Sequence, residues 1–412
     1  MENGELIPHL FRMEFSKIVS VLVKVFGLEH TEVAEDIVSE TFLLAAESWG
    51  QKGIPQNPTA WLYTVAKNKA KNHLHRESIF AKKVAPQITS GLPVGDEVEI
   101  DLSEQNIQDS QLQMMFAICH PSIPIESQIG LSLRILCGFG IDEIADAFLT
   151  NKETINKRLF RAKEKLREEQ IKMEMPSPSE IQERLDAVLK TLYLLFNEGY
   201  HPSLQNAVIR RDLCVEAMRL NYMLVEHSAT NIPEANALLA LMCFHASRFD
   251  ARTDQNGELI LYADQDASLW NQELIVKGGI YLNQAARGTR LSKYHLEAAI
   301  AYWHTHKDDS VEKWENILQL HNQLLQLEYS PLAALNRTYA LSKANSIEEA
   351  IREAEKLKLD SNHLYFTLLG ELYASVDRAK AKVHFEQALS FAKSEADKAI
   401  LIRKLEALAV IP

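Results

Sequence analysis

The sequence predicts an all-α protein with two small helical domains, joined by a linker and followed by a larger helical domain. Three observations predict this fold class. Apolar residues recur at helical spacing, Gly and Pro separate those segments, and pairs of helical segments repeat near the C-terminus. The chain has 412 residues, 46% apolar and 24% charged, which is typical of two or three globular domains.

Composition excludes several classes of protein. No apolar run reaches the roughly 18 residues of a membrane span, and the N-terminus MENGELIPHLFRMEF lacks the basic and apolar regions of a secretory signal. We therefore expect a cytoplasmic protein that binds no membrane. The four cysteines lie at wide spacings that indicate neither a disulfide framework nor a metal site, and no cofactor motif accompanies them. They are Cys119, Cys137, Cys214 and Cys243.

The N-terminal region predicts consecutive amphipathic helices. Leu10 to Phe26 forms the first helix, Gly27 ends it, and Thr31 begins the second. The second helix has an inward side with Ile37, Val38, Thr41 and Phe42, and an exposed sector with Glu32, Glu35, Asp36, Ser39 and Glu40. This acidic sector is either simply solvated or a docking surface for a basic partner helix.

A third helix is predicted from Thr59 to Glu77, with Asn57 as its cap and Pro58 at its first position. Its apolar side contains Trp61, Leu62, Val65 and Ala66, and its outward side contains Tyr63, Lys67, Asn68, Lys71 and Asn72. Aromatic rings that alternate with Lys and Asn suit single-stranded DNA, because rings stack on bases and ammonium groups meet phosphates. The alternative for Trp61 and Tyr63 is burial in the core, which we favour for Trp61.

The stretch from Ile141 to Arg167 predicts a helix-turn-helix. Apolar residues at helical spacing form its back, namely Ile141, Ile144, Ala145, Phe148, Ile155, Leu159, Ala162 and Leu166. Asn151 is placed to cap the second helix through the N–H of Glu153 or Thr154. The opposite face is polar and mostly basic, as a helix that enters a major groove requires. An ordinary helical hairpin with a solvated face is the alternative.

The distribution of charge along the chain is more informative than the net charge. A net charge of −12 argues against nucleic acid as a partner, but the basic residues concentrate in two windows, 67–83 and 152–167. Two separate basic patches on an acidic body fit two segments of one duplex and limit non-specific binding elsewhere.

Three stretches carry a family resemblance: AEDIVSETF, NPTAWLYTVAKNKAKNHL and LSLRILCGFGIDEIADAFLTNKETINKRLFRAKEKL. In this order and spacing they resemble RNA polymerase sigma factors of the extracytoplasmic-function group, the first two in the second domain and the last in the fourth. The resemblance implies core RNA polymerase and promoter DNA as partners. It assigns polymerase docking to Glu35, Asp36, Ser39 and Glu40. It assigns the −10 element to Trp61, Tyr63, Lys67, Asn68, Lys71 and Asn72. It assigns the −35 element to Lys152, Glu153, Thr154, Asn156, Lys157, Arg158 and Arg161.

The expected domains are a second sigma domain over 1–84 and a fourth sigma domain over 110–175, joined by a linker over 85–109. An extension over 176–412 follows and begins at the turn-rich Met175-Pro176-Ser177-Pro178. FAICHPSIP, residues 116–124, resembles the subgroup that carries a long C-terminal extension. Near 330–395 a set of residues recurs at the spacing of about 34 residues that marks a tetratricopeptide unit. Leu335, Tyr339, Ala340, Ile351 and Ala354 recur as Leu369, Tyr373, Ala374, Phe385 and Ala388.

The segment from Arg248 to Trp270 interrupts the helical pattern, with Asn256-Gly257 as a turn of a short hairpin. The candidate pocket residues in this segment are Arg248, Arg252, Asp264, Asp266 and Trp270, and an effector there would be a protein or a small molecule. The alternative is a salt-bridged structural loop.

Three functions compete. The first is a sigma factor governed by its own extension. The second is a helix-turn-helix operator-binding regulator with a helical sensor domain, which leaves AEDIVSETF and WLYTVAKNK unexplained. The third is an enzyme in the extension, but no phosphate loop, zinc signature or nucleophile elbow supports one, so we expect no catalytic residues.

Overall fold

The computed structural model describes residues 3–84, 99–148, 150–200, 209–253, 260–393 and 395–410. Within these ranges the regular structure is helical, which confirms the predicted all-α class. The chain divides into two compact units, residues 1–191 and 192–412.

The first unit contains a series of helices from both predicted sigma domains. They are α1 Asn3–Phe26, α2 Thr31–Lys52, α3 Pro58–Val84, α4 Glu104–Ile118, α5 Ile125–Leu131, α6 Ile141–Ala147 and α7 Lys152–Glu168. A π-helical turn, Ser132–Leu136, follows α5, and α8, Ile181–Tyr200, begins in this unit and ends in the next. Gly27 ends α1 as predicted, because its φ of 95° is a conformation that residues with a Cβ rarely adopt.

Helix α1 lies at the centre of the first unit. It packs against α2, α3, α4 and the π-helical turn, and Phe15, Ile18 and Leu22 on it are fully buried. The contact with α4 also contains a buried hydrogen bond of 3.2 Å from Gln111 to Ser16. The two predicted sigma domains therefore pack together in one unit.

Two boundaries differ from the prediction. Helix α4 begins at Glu104, where the Ser103 side chain caps it, so the end of the predicted linker is helical. Residues 85–98 of the predicted linker lie outside the described residues. The division between units falls after Thr191, later than the turn at 175–178, because the first part of α8 belongs to the first unit.

The second unit contains the remaining helices. They are α9 Arg211–Glu226, α10 Pro233–Ala246, α11 Phe249–Arg252, α12 Gln272–Ala285, α13 Lys293–Trp303, α14 Val311–Leu327, α15 Pro331–Ala344, α16 Ile347–Leu357, α17 His363–Tyr373, α18 Arg378–Phe391 and α19 Glu395–Val410. Helix α10 is buried along most of its length against α9, α12 and α13. From α13 onward each helix packs against the next.

The predicted repeat corresponds to the helix pairs α15–α16 and α17–α18. Leu335 and Ile351 of the first pair are buried, as are Leu369 and Phe385 of the second. Close packing in the second pair depends on Gly370, because a Cβ there would lie 2.6 Å from the Phe385 ring. The predicted hairpin turn at Asn256-Gly257 lies outside the described residues.

Candidate nucleic-acid interface

Helices α6 and α7 form the predicted helix-turn-helix. The Asn151 side chain accepts the backbone N–H of Thr154 at 2.8 Å, which confirms the predicted cap. The back of α7 is buried through Ile155, Leu159, Ala162 and Leu166. This apolar back fixes α7 on the unit and leaves its opposite face outward.

The outward face of α7 carries most of the side chains assigned to DNA. Lys152, Glu153, Thr154, Asn156, Lys157 and Arg161 are exposed. Two of these lysines already have carboxylate partners: Lys152 pairs with Asp142 at 2.5 Å, and Lys157 with Glu153 at 2.6 Å. Both pairs are exposed, so they are worth little and their lysines can exchange partners readily.

Arg158 differs from its neighbours on α7. It is half-buried, and its guanidinium lies 5.2 Å from the centroid of the Phe148 ring, which follows α6. This cation–π contact joins the two helices of the motif. Arg158 is therefore placed to support the motif, while Arg161 one turn later projects into solvent.

Phe160 is an exposed aromatic that sequence reasoning did not single out. Its side chain is 59% exposed between the inward residues of α7. Its exposure could have been predicted, because Phe160 falls outside the apolar spacing of Ile155, Leu159 and Ala162.

Helix α3 starts as predicted, with the N–H of Ala60 bonded to the Asn57 side chain at 3.0 Å. Asn68, Lys71 and Asn72 are exposed on it and Lys67 is half-exposed. Trp61 is half-buried and meets Trp49 edge to face, with ring centroids 5.3 Å apart.

Tyr63 is not the free outward ring that the helical pattern suggested. Its hydroxyl donates to Glu14 of α1 at 2.6 Å, and burial and the Glu14 carboxylate raise the pKa of Tyr63 well above its usual range. The helical period alone could not indicate this, because Glu14 belongs to another helix. Tyr63 therefore bonds α3 to α1.

The acidic face of α2 is exposed at Asp36, Ser39 and Glu40, and Glu40 pairs with Lys69 of α3 at 2.6 Å. Glu35 does not belong to this exposed sector, in contrast to the prediction, since it is only 6% exposed. Its two carboxylate oxygens accept from Arg134 Nε at 2.9 Å and Lys163 Nζ at 2.7 Å.

A cleft of about 430 Å³ separates the acidic face of α2 from α7. Its lining comes from both helices: Glu32, Glu35, Asp36 and Ser39 of α2, and Asn156, Leu159, Phe160 and Lys163 of α7, together with Arg134 and Ile141. The residues predicted to dock on polymerase thus face the helix predicted to read DNA.

The FAICHPSIP segment contacts the first part of α8. Arg184 donates to the Phe116 carbonyl at 2.6 Å, and the Thr191 hydroxyl donates to the Gln128 side chain at 2.7 Å. Gln128 in turn donates to the carbonyl of His120 at 3.1 Å. The segment therefore anchors the helix that continues into the second unit.

All four cysteines are buried, and burial raises the pKa of the Cys119 thiol to about 11. Among the described residues, no group of three or more His, Cys, Asp and Glu side chains is arranged to hold a metal ion. No helix within the same residues is long and apolar enough to cross a membrane.

In the second unit, the basic and aromatic residues of the candidate pocket are packed. Arg248 and Trp270 are buried, with 8% and 4% exposure. The Arg248 guanidinium lies 5.5 Å from the Tyr262 ring centroid, and the Arg252 guanidinium lies 4.0 Å from that of Tyr200. These contacts stabilise the irregular segment between α11 and α12.

The two carboxylates of the candidate pocket are exposed instead. Asp264 lies in a short 3₁₀ turn, and Asp266 caps the next turn by accepting the Ser268 N–H at 2.8 Å. Hydrogen bonds from Ser268 lower the pKa of Asp266. An effector site in this segment stays a prediction.

Two segments of the chain match known families, and most of its length matches a relative. Residues 10–79 match sigma-70 region 2, and residues 184–286 match a family of unknown function, DUF6596. The chain is 32% identical to the uncharacterized protein R00370 of Rhizobium meliloti (strain 1021) over 389 residues, 92% of this chain and 91% of that protein. It is 27% identical to the ECF RNA polymerase sigma-E factor of Haemophilus influenzae over 133 residues, 31% of this chain and 70% of that protein. No solved structure matches the chain.

Proposed function

We propose that this chain, which belongs to the family of the Rhizobium meliloti relative, is a sigma factor that directs bacterial core RNA polymerase to promoters in the cytoplasm. One observation carries the proposal. The match to sigma-70 region 2 over residues 10–79 coincides with α1 to α3, the helices that present the acidic face of α2 and the polar face of α3.

The acidic face of α2 suits docking on a basic helix of the polymerase. Asp36, Ser39 and Glu40 are exposed along it, and Glu40 pairs with the partly exposed Lys69. Exchange of such a surface ion pair for an intermolecular one costs little, and complementary charge speeds the encounter. The face could therefore bind polymerase without any change in the fold of α2.

The faces of α3 and α7 suit the two promoter elements. On α3, Asn68, Lys71 and Asn72 are exposed beside one another, as contacts with a melted −10 strand require. On α7, Asn156 and Arg161 are exposed beyond the cap, where side chains of a recognition helix reach base edges of a −35 element.

Control by the extension is supported by α8. This single helix completes the first unit through Arg184 and Thr191 and continues into the second unit. Because α8 runs through the division after Thr191, the extension is covalently joined to the first unit and can act on it without a separate partner protein. We propose that the extension governs initiation through α8.

Run-off transcription with core polymerase, on the promoter upstream of the protein's own gene cluster, tests the function. We expect a transcript from the full chain and a strong loss with Asp36→Arg, since reversal of an interface charge costs roughly 1–3 kcal/mol. Glu47→Arg is the matched control, because Glu47 is exposed on α2 three turns away, and it should transcribe normally.

A different outcome would support the operator-binding alternative. If no transcript forms with core polymerase, while the isolated chain binds a palindromic duplex as a dimer, the sigma-factor proposal is wrong. Weaker duplex binding by Arg161→Ala in that experiment would then assign α7 to an operator.

A further inference from the structure

The burial of Glu35 distinguishes the α2 face from a free docking surface. Arg134 and Lys163 occupy both of its carboxylate oxygens, and the Lys163 side chain is itself only 15% exposed. A carboxylate in this state can bind a group on another protein only by giving up one of these partners. Removing one member of a buried pair leaves an uncompensated charge, so the exchange has a cost.

Other contacts hold α7 against the N-terminal end of α2. Arg167 of α7 donates to the Glu29 carbonyl at 3.2 Å, just before α2 begins. At the other end of the motif, Arg12 of α1 pairs with Glu143 of α6 at 2.7 Å. Arg134 is also fixed, because it donates to a carbonyl of its own loop and lies 5.8 Å from the Phe15 ring centroid.

Asp36 and Asn156 line the same cleft from opposite sides, Asp36 on α2 and Asn156 on α7. A polymerase helix on the Asp36 side and a duplex on the Asn156 side would therefore approach one another across this cleft.

We propose that the isolated chain is closed on itself: α7 packs against the docking face of α2 at Glu35, where Arg134 and Lys163 take the place of the basic side chains of polymerase. The inference rests on the proposed function. Polymerase must displace these two side chains and separate α7 from α2 before it docks. The measured affinity is then the affinity of the open state multiplied by the fraction of open molecules.

Lys163→Ala tests the proposal, because Lys163 holds the closed state but lies outside the predicted docking face. With full-length protein, core polymerase and no DNA, we expect roughly threefold to tenfold tighter binding by Lys163→Ala than by wild type. Lys163→Arg keeps the charge and should bind like wild type. Lys157→Ala is the matched control, since Lys157 lies on the same helix and pairs with Glu153 of that helix in an exposed contact.

A distance measurement provides a second test that does not depend on the stability of a variant. Donor and acceptor dyes would be placed at Glu47→Cys on α2 and Glu168→Cys on α7, both exposed positions, while the native cysteines are buried. Energy transfer should fall when core polymerase is added. Unchanged transfer in the polymerase complex, or unchanged or weaker polymerase binding by Lys163→Ala, would overturn the closed state. Absence of any binding by wild type and Lys163→Ala alike would instead refute the proposed function.

Discussion

Truncation before α8 should destabilise the first unit, and the contacts of α8 indicate by how much. Arg184, Val188 and Thr191 lie at helical spacing on one face of α8. The Arg184 hydrogen bond to a carbonyl is worth about 1.5–3 kcal/mol, and the buried one between Thr191 and Gln128 about 1 kcal/mol. Val188 is fully buried, and exposure of such a side chain costs about 1.5–3 kcal/mol.

These losses amount to roughly 5 kcal/mol, which is comparable with the whole stability of many domains. Fragment 1–175 should therefore melt about 10–20 °C below fragment 1–191, which ends where the first unit ends. Thermal unfolding followed by circular dichroism measures the difference. Equal melting temperatures would show that α8 is dispensable for the first unit and refute the reasoning. If the prediction holds, loss of transcription by fragment 1–175 reports on folding and not on regulation.

Two further predictions concern the second unit. Gly278→Ala should destabilise it by about 1–3 kcal/mol, because the new Cβ would lie 2.6 Å from the Phe244 ring. Gly279→Ala should stabilise it by roughly 0.5–1 kcal/mol, since no described heavy atom lies within 4 Å of that Cβ. Urea unfolding measures both, and shifts of the same sign would contradict the packing of α10 on α12. The second prediction is that stability falls as pH rises, because burial raises the pKa of Glu297, beside Tyr193, from 4.5 to about 7. The folded chain holds this proton more tightly, so stability should fall by up to about 3 kcal/mol as pH rises from 4.5 to about 7. Glu297→Gln should lose that dependence, and an unchanged pH profile would reject the assignment.

Sequence reasoning succeeded where the determinants are local. The cap at Asn151 was predictable, because the side chain and the N–H that it accepts are three residues apart. Glu35 was misplaced because Arg134 is 99 residues away in the chain, and helical period alone places any polar residue of an acidic stripe outward. The same reason applies to Tyr63, whose partner Glu14 is 49 residues away. The contacts across the cleft between α2 and α7 could therefore not be predicted from the apolar spacing of single helices.

The contacts of α8 also suggest how the extension could act on the docking face. Thr191 donates to Gln128 of α5, and α5 runs directly into the π-helical turn that carries Arg134, the partner of Glu35. If this route transmits control, Thr191→Val should loosen the turn and tighten polymerase binding by about 1 kcal/mol. The same change should have little effect in an Arg134→Ala background, because the contact with Glu35 is already lost there. Polymerase affinities of the four proteins give the coupling energy directly. Strictly additive effects would mean that Thr191 and Arg134 act independently, and control by the extension would then have to use another route.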